Sequence, residues 1–146
     1  KCDRVGEIAL MHDELIKLLD CKTDPLQFYI DKTEVALPET ILLMTPGAEG
    51  KAGLCFGKQT YLDDVVVMMG GANAIETSGW ISLSLEDIAR LEPSVIVVVS
   101  DTHFEVSKGV FALDIPIIPF IHPDVLIPSS RMTDVAIALQ HELQAQ

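Results

Sequence analysis

The sequence predicts an α/β protein: a three-layer α/β/α, Rossmann-like sandwich built on a mainly parallel sheet. Three observations lead there. The aliphatic runs Ile41–Met44 and Val95–Val99 are continuous, not alternating, which suits strands covered on both faces. Segments with helical periodicity and helix-capping residues lie between such runs. The resulting order is helix, strand, helix, strand, helix, strand, strand, helix, the alternation from which layered α/β domains are made. A chain of 146 residues is enough for one domain with its own core.

Residues 4–20 open the chain as an amphipathic helix. Val5, Ile8, His12, Leu15, Ile16 and Leu19 share one face, while Asp3, Glu7, Asp13, Glu14 and Lys17 lie largely elsewhere. Thr23-Asp24-Pro25 stops it, because the proline disfavours helical geometry in the residue before it. Residues 26–37 fit a helix, a strand or a connector equally. Ile41–Met44 is a strand ended by Pro46-Gly47, and a loop follows with Gly47, Gly50, Gly53 and Gly57. Thr60 caps a helix over Tyr61–Met69, Asp63 and Asp64 sit near its positive end, and Gly70-Gly71 ends it. Asn73-Ala74-Ile75 is a short strand, and Glu76–Trp80 a loop. Ser84 caps a helix running to Leu91, with Asp87 completing an imperfect capping box. The β-branched run Val95–Val99 is the strongest strand signal. Pro116 and Pro119 push the strand at Ile115–Ile121 towards a sheet edge or towards strand ends. A helix at about Arg131–Leu143, striped by Met132, Val135, Ala136, Leu139 and Leu143, closes the chain.

Composition excludes several classes of function. The net charge is −12, and the ten basic residues are scattered, so neither a nucleic-acid backbone nor an anionic membrane is a partner. No apolar run approaches the roughly 18–20 residues that cross a bilayer, which argues against direct membrane insertion. The first residue is Lys and residues 1–30 do not read as a signal peptide, which is expected if processing removed one or if the chain is an excised piece. Cys2, Cys21 and Cys55 have the spacing of neither a metal site nor a redox dithiol, and reduced buried thiols are the plain expectation.

The glycine-rich loop is not a phosphate cradle. Gly50-Lys51 is followed by Ala52, with Thr45 where the first glycine should stand, and Gly57-Lys58 is followed by Gln59, so neither meets the P-loop pattern. There is no G-x-G-x-x-G. Ser78, Ser82, Ser84 and Ser100 lie outside the G-x-S-x-G context of a strand-to-helix nucleophile. Asp101, His103 and His122 have the side chains for metal binding or proton transfer but form no recognised constellation. His12, on the apolar stripe, is expected as a satisfied core histidine. Large side chains remain near predicted strand-end loops: Phe56, Tyr61, Trp80, His103 and Phe104. They are candidates to wall a pocket for a bulky ligand, with ordinary loop packing as the competing reading.

Several motifs, in order and spacing, resemble a known pattern. They are Gly53–Phe56, Tyr61-Leu62-Asp63-Asp64, Met69-Gly70-Gly71-Ala72-Asn73-Ala74, Gly79–Ile88, Leu91–Val97 and His122–Pro128 ahead of a final helix. Together they are similar to the C-terminal lobe of the helical-backbone (type III) substrate-binding proteins of ABC importers, which capture cobalamin, iron–siderophores, haem and related metal chelates. The resemblance implies a single lobe of a two-lobe periplasmic-binding-protein fold, with residues 1–34 as interlobe helix and connector and residues 35–146 as the C-terminal substrate-binding lobe. It implies a non-enzymatic transport protein, periplasmic or membrane-anchored outside the cytoplasm, whose N-terminal lobe lies outside this chain. A metal chelate is then cargo, with no resident cofactor or metal. The implied ligand-contacting residues are Gly53, Phe56, Tyr61, Trp80, His103 and Phe104. Glu86 matches the family glutamate that docks on arginines of the membrane permease, and an exposed carboxylate on a rigid first turn suits paired guanidinium bonds. One departure is Ser94, where the family has Asp. The alternatives are a stand-alone single-lobe scaffold that dimerises through its first helix and cleft face, and a metal-dependent α/β enzyme using Asp101, His103 and His122.

Overall fold

The computed structural model describes residues 3–20, 24, 26–28, 37–48 and 51–145. Ten elements run along the chain: α1 (Val5–Leu19), β1 (Ile41–Met44), β2 (Leu54–Phe56), α2 (Tyr61–Met69), β3 (Trp80–Ser82), α3 (Leu85–Leu91), β4 (Val95–Ser100), α4 (Lys108–Phe111), β5 (Ile117–Ile121) and α5 (Met132–Gln144). The strands form one sheet in the order β3-β2-β1-β4-β5. β1, β4 and β5 are parallel, with Ile41 beside Val95 and Ile96 beside Ile117, whereas β2 and β3 join as antiparallel strands.

All residues of β1 and β4 are buried, which is why both read as continuous aliphatic runs. Pleat parity divides their side chains between two cores. Ile41, Leu43, Val95, Val97 and Val99 pack with α1, α2 and α5, and Leu42, Met44, Ile96 and Val98 pack on the side of α3 and α4. Helices therefore cover both faces, giving three layers. Full burial of each such aliphatic side chain contributes about 1.5–3 kcal/mol, so this double-sided sheet dominates the stability.

The helix ends are made largely as the residues require. Thr60 Oγ1 accepts the Asp63 N–H at 3.2 Å, and Gly70 closes α2 at φ 89°. Ser84 and Asp87 cap α3 reciprocally, Ser84 Oγ accepting the Asp87 N–H while Asp87 Oδ2 accepts the Ser84 N–H, both at 3.1 Å. β5 is an edge strand, the position that tolerates Pro119. Along α5, Met132, Val135, Ala136, Leu139 and Leu143 are all buried.

Four expectations change. First, two short antiparallel strands stand where loops were predicted. β2 lies inside the glycine-rich segment and β3 begins at Trp80, each only three residues long. Second, Asn73-Ala74-Ile75 makes only an isolated bridge, Asn73 to Ile41, because the Asn73 side chain is engaged in holding Phe56 O and Asp63. Third, the α1 stripe is buried for only two turns, at Val5 and Ile8, while Leu15 and Leu19 are exposed. Asp64 serves α1 and not its own helix: it accepts from the Val5 N–H and the Arg4 Nε, each at 2.8 Å, and from a second Arg4 nitrogen. Fourth, His12 is only half-buried, and its Nδ1 has no hydrogen-bond partner among the described residues. Helix α1 ends at Leu19 with Asp20 in the left-handed conformation, whereas Cys2, Cys21, Thr23, Pro25 and the boundary near residue 34 lie outside the described residues.

Candidate functional site

Ligands on open parallel sheets collect outside the carboxyl ends of the strands. Here that edge is formed by the ends of β1, β4 and β5, at Met44, Ser100 and Ile121, together with the end of β3, since Ser82 pairs with Leu54 beside Thr45. Three loops leave it, over residues 45–53, 101–107 and 122–131.

Backbone contact fixes the first loop at its base. The Thr45 N–H donates to Leu54 O and the Leu54 N–H to Thr45 Oγ1, each at 2.9 Å. Gly53 lies so close to Thr45 that an added Cβ would sit 1.8 Å from the carbonyl oxygen. Its glycine is thus required by the hairpin itself. Nearer the tip, the Lys51 N–H closes a turn onto Ala48 O at 3.0 Å.

The second loop starts from buried Ser100, whose Oγ accepts the Thr102 N–H at 3.2 Å and whose carbonyl accepts the His122 N–H at 3.0 Å. Asp101, Thr102 and His103 are exposed at this edge, and Phe104 is half-buried against the α3/α4 core. His122 follows β5 directly. Its ring stacks on Phe120 at 13° between planes, and its Nδ1 accepts the Asp124 N–H at 3.1 Å. That bond leaves the proton of the neutral ring on Nε2. Arg131 Nη1 stands 3.6 Å from the Asp124 carboxylate. Among the described residues, no three His, Cys, Asp or Glu side chains converge as metal ligands.

The six residues named from sequence do not form one wall. Phe56, Tyr61 and Trp80 make an aromatic cluster, with centroids 4.6 Å apart for Phe56–Trp80 and 6.0 Å for Tyr61–Trp80. Phe56 and Tyr61 are 0% and 1% exposed, so they pack in the α1/α2/α5 core, and Trp80 keeps 41% of its surface. Burial pushes the Tyr61 phenol well above its ordinary pKa, and its hydroxyl has no partner among the described residues. Phe104 belongs to the opposite face. Gly53 and His103 stand on the strand-end edge. Two polar residues outside the set of six stand there as well: Lys51, which the sequence offers only as a failed P-loop match, and His122, which it offers only for the metal-dependent alternative. The end of β5 at Ile121 is the signal that places His122 on the edge.

Glu86 is exposed on the first turn of α3. Its neighbour Asp87 is committed to Ser84, whose hydrogen bonds hold that carboxyl below the usual carboxylate range. Glu86 itself makes no hydrogen bond or ion pair among the described residues and lines a groove of about 530 Å³ with Lys51, Ala52 and the segment 82–85.

No protein-family model and no curated protein matches the sequence. Solved structures do. A possible iron-binding, periplasmic solute-binding protein from Staphylococcus epidermidis ATCC 12228 is similar over 97% of this chain, with a TM-score of 0.65 at 13% identity. A periplasmic haem-binding protein from Pseudomonas aeruginosa is similar over 75% of the chain, with a TM-score of 0.56 at 20% identity. A protein described as an ABC-type Fe3+-hydroxamate transport system from Saccharomonospora viridis DSM 43017 is similar over 71%, with a TM-score of 0.55 at 14% identity. The chain spans 63%, 44% and 41% of these three proteins respectively. At such identities the likeness is one of fold, and it matches the resemblance carried by the sequence motifs.

Proposed function

We propose that this chain, which has the fold of the periplasmic solute-binding proteins, is the C-terminal lobe of a type III receptor that captures an iron chelate and delivers it to an ABC permease. It binds its cargo and does not transform it. The observation that carries this reading is the combination of that fold with loops gathered at the carboxyl ends of its parallel strands. The S. epidermidis, P. aeruginosa and S. viridis proteins are described as binding iron, binding haem and transporting Fe3+-hydroxamate, which supports iron complexes, haem or hydroxamate siderophores as the cargo class. Cobalamin remains within the proposed class by family resemblance. The site of action follows from the same likeness: the periplasm or the outer face of the cytoplasmic membrane. Among the described residues, no helix is long and apolar enough to cross a membrane.

Geometry refines the residue roles. The loop anchored by Gly53, together with His103 and Phe104, reaches the cargo from the strand-end edge. Trp80 offers an exposed aromatic face, and Phe56 and Tyr61 hold that ring in place from the core. Glu86, exposed and without a partner among the described residues, docks the permease. The exposed apolar side of α1, with Leu15 48%, Leu18 80% and Leu19 66% accessible, supports the reading as one lobe of a larger unit. The test is a fluorescence-quenching titration of haemin and of a ferric hydroxamate into a protein carrying both lobes. Saturable binding of one of them at micromolar Kd or tighter is expected, and binding of neither removes the iron-chelate assignment.

A further inference from the structure

We infer that the groove beside α3 is a two-charge seat for an extended partner segment carrying an arginine and, two residues away, a carboxylate. This deepens the docking role proposed for Glu86 and rests on it. The groove, about 530 Å³, has Lys51 and Ala52 on one wall and Ser82, Leu83, Ser84, Leu85 and Glu86 on the other. Its charges are one ammonium and one carboxylate, and neither pairs with another described residue. Asp87, the other acidic group of that turn, is held by Ser84, pairs through Oδ1 with Arg90 Nη1 at 3.5 Å and lies outside the groove lining. A partner bearing only a cation would satisfy Glu86 but meet Lys51, and like charges across an interface are unfavourable. A segment presenting both signs satisfies both walls. In an extended chain, side chains two residues apart point to the same face, which lets one short segment supply both charges. The side chain between them points away from the groove, so the segment's backbone is what passes over Leu83, Leu85 and Ala52.

The consequence concerns specificity as well as attachment. Lys51 belongs to the loop that follows β1, on the strand-end edge, whereas Glu86 belongs to α3 beyond edge strand β3. A docked segment therefore touches the cargo-side loop and the docking helix together. Glu86 supplies the bidentate carboxylate, and Lys51 selects partners whose arginine is accompanied by an acid.

The experiment is an NMR titration of the 15N-labelled 146-residue chain with the peptide acetyl-Ala-Arg-Leu-Glu-Ala-amide, repeated with Glu86→Gln and Lys51→Gln. Both substitutions are at exposed side chains, so the fold is retained. Saturable amide shifts are expected over residues 51–53 and 82–87, with Kd in the millimolar range. Each single variant should weaken binding at least threefold, and a peptide with the glutamate replaced by glutamine should bind Lys51→Gln and wild type equally. If Glu86→Gln weakens binding but Lys51→Gln does not, the docking carboxylate stands and the two-charge seat is overturned. If neither variant has an effect, or no saturable shift occurs in these segments, the docking role of Glu86 at this groove falls with it.

Discussion

At residue scale, the glycines separate into those the fold requires and those it merely contains. A Cβ on Gly53 would meet the backbone of Thr45, not a side chain that could swing away. Gly53→Ala must therefore open the β1–β2 hairpin, and the expected loss is about 1–3 kcal/mol or more by urea denaturation. Gly6, on the first turn of α1, has nothing within 4 Å of its built Cβ. Gly6→Ala should raise stability by about 0.5–1 kcal/mol through lower entropy of the unfolded chain. A neutral result for Gly53→Ala would mean that the loop base is not packed as described. Cys55 supplies a second test. Buried between β1 and β3, its thiol is pushed up to about 11, chiefly by desolvation. It should resist alkylation in the folded protein at pH 8 and react once urea unfolds the chain. The sign of the linkage follows: above the ordinary thiol value the unfolded chain loses a proton that the folded chain keeps. Stability should therefore fall by about 1.4 kcal/mol per pH unit between the two values, a slope that Cys55→Ala removes.

At the scale of elements, α3 is a short helix defined by its cap. Removing the cap in Ser84→Ala should cost about 1 kcal/mol, measured by thermal or urea unfolding at neutral pH. The Asp87 carboxyl is lowered first by the Ser84 side-chain bond. Its contribution is therefore present above the unfolded carboxylate pKa, about 3.9, and lost as pH falls through the lower folded value. Wild type should show a larger acid-side loss than Ser84→Ala, which keeps the backbone N–H bond and Arg90; identical acid profiles would remove the role assigned to the Ser84 hydroxyl. Caps of this kind were legible in sequence because they are local: Thr60, Gly70 and Ser84 stand within one turn of the helix they end. The buried strands β1 and β4 were legible because coverage on both faces leaves a continuous aliphatic run. β2 and β3 were not, because three-residue strands beside glycines carry no period and owe their existence to pairing with each other. The candidate site suffered from the same non-locality. Phe56 and Trp80 pair directly and so share a face, and Phe104 packs in the opposite core, a division set by strand pairing that aromatic content does not reveal.

At the scale of the whole molecule, α1 poses the sharpest question, because one apolar stripe has two fates. Val5 and Ile8 enter the core against α2, and the same stripe then runs on past the lobe, leaving Met11, Leu15, Leu18 and Leu19 about half or more exposed. A helix gains most of its stability from burying such a face; among the described residues, these exposed turns rest on local hydrogen bonds and on the anchored first turns. In the proposed two-lobe receptor, the second lobe covers this surface. The double substitution Leu15→Glu with Leu18→Glu separates the cases. In the 146-residue chain both side chains already face solvent, so unfolding free energy should change by no more than about 0.5 kcal/mol. In a protein carrying both lobes, the same pair would place two carboxylates in an apolar contact, and a loss of about 2 kcal/mol or more is expected. Cargo binding should follow the same contrast. On the proposed two-lobe reading this lobe forms one wall of a cleft, so its affinity for haemin or a ferric hydroxamate should be at least about 100-fold weaker than that of the two-lobe protein. Equal affinities would place the whole binding site within this lobe and remove the need for a second wall.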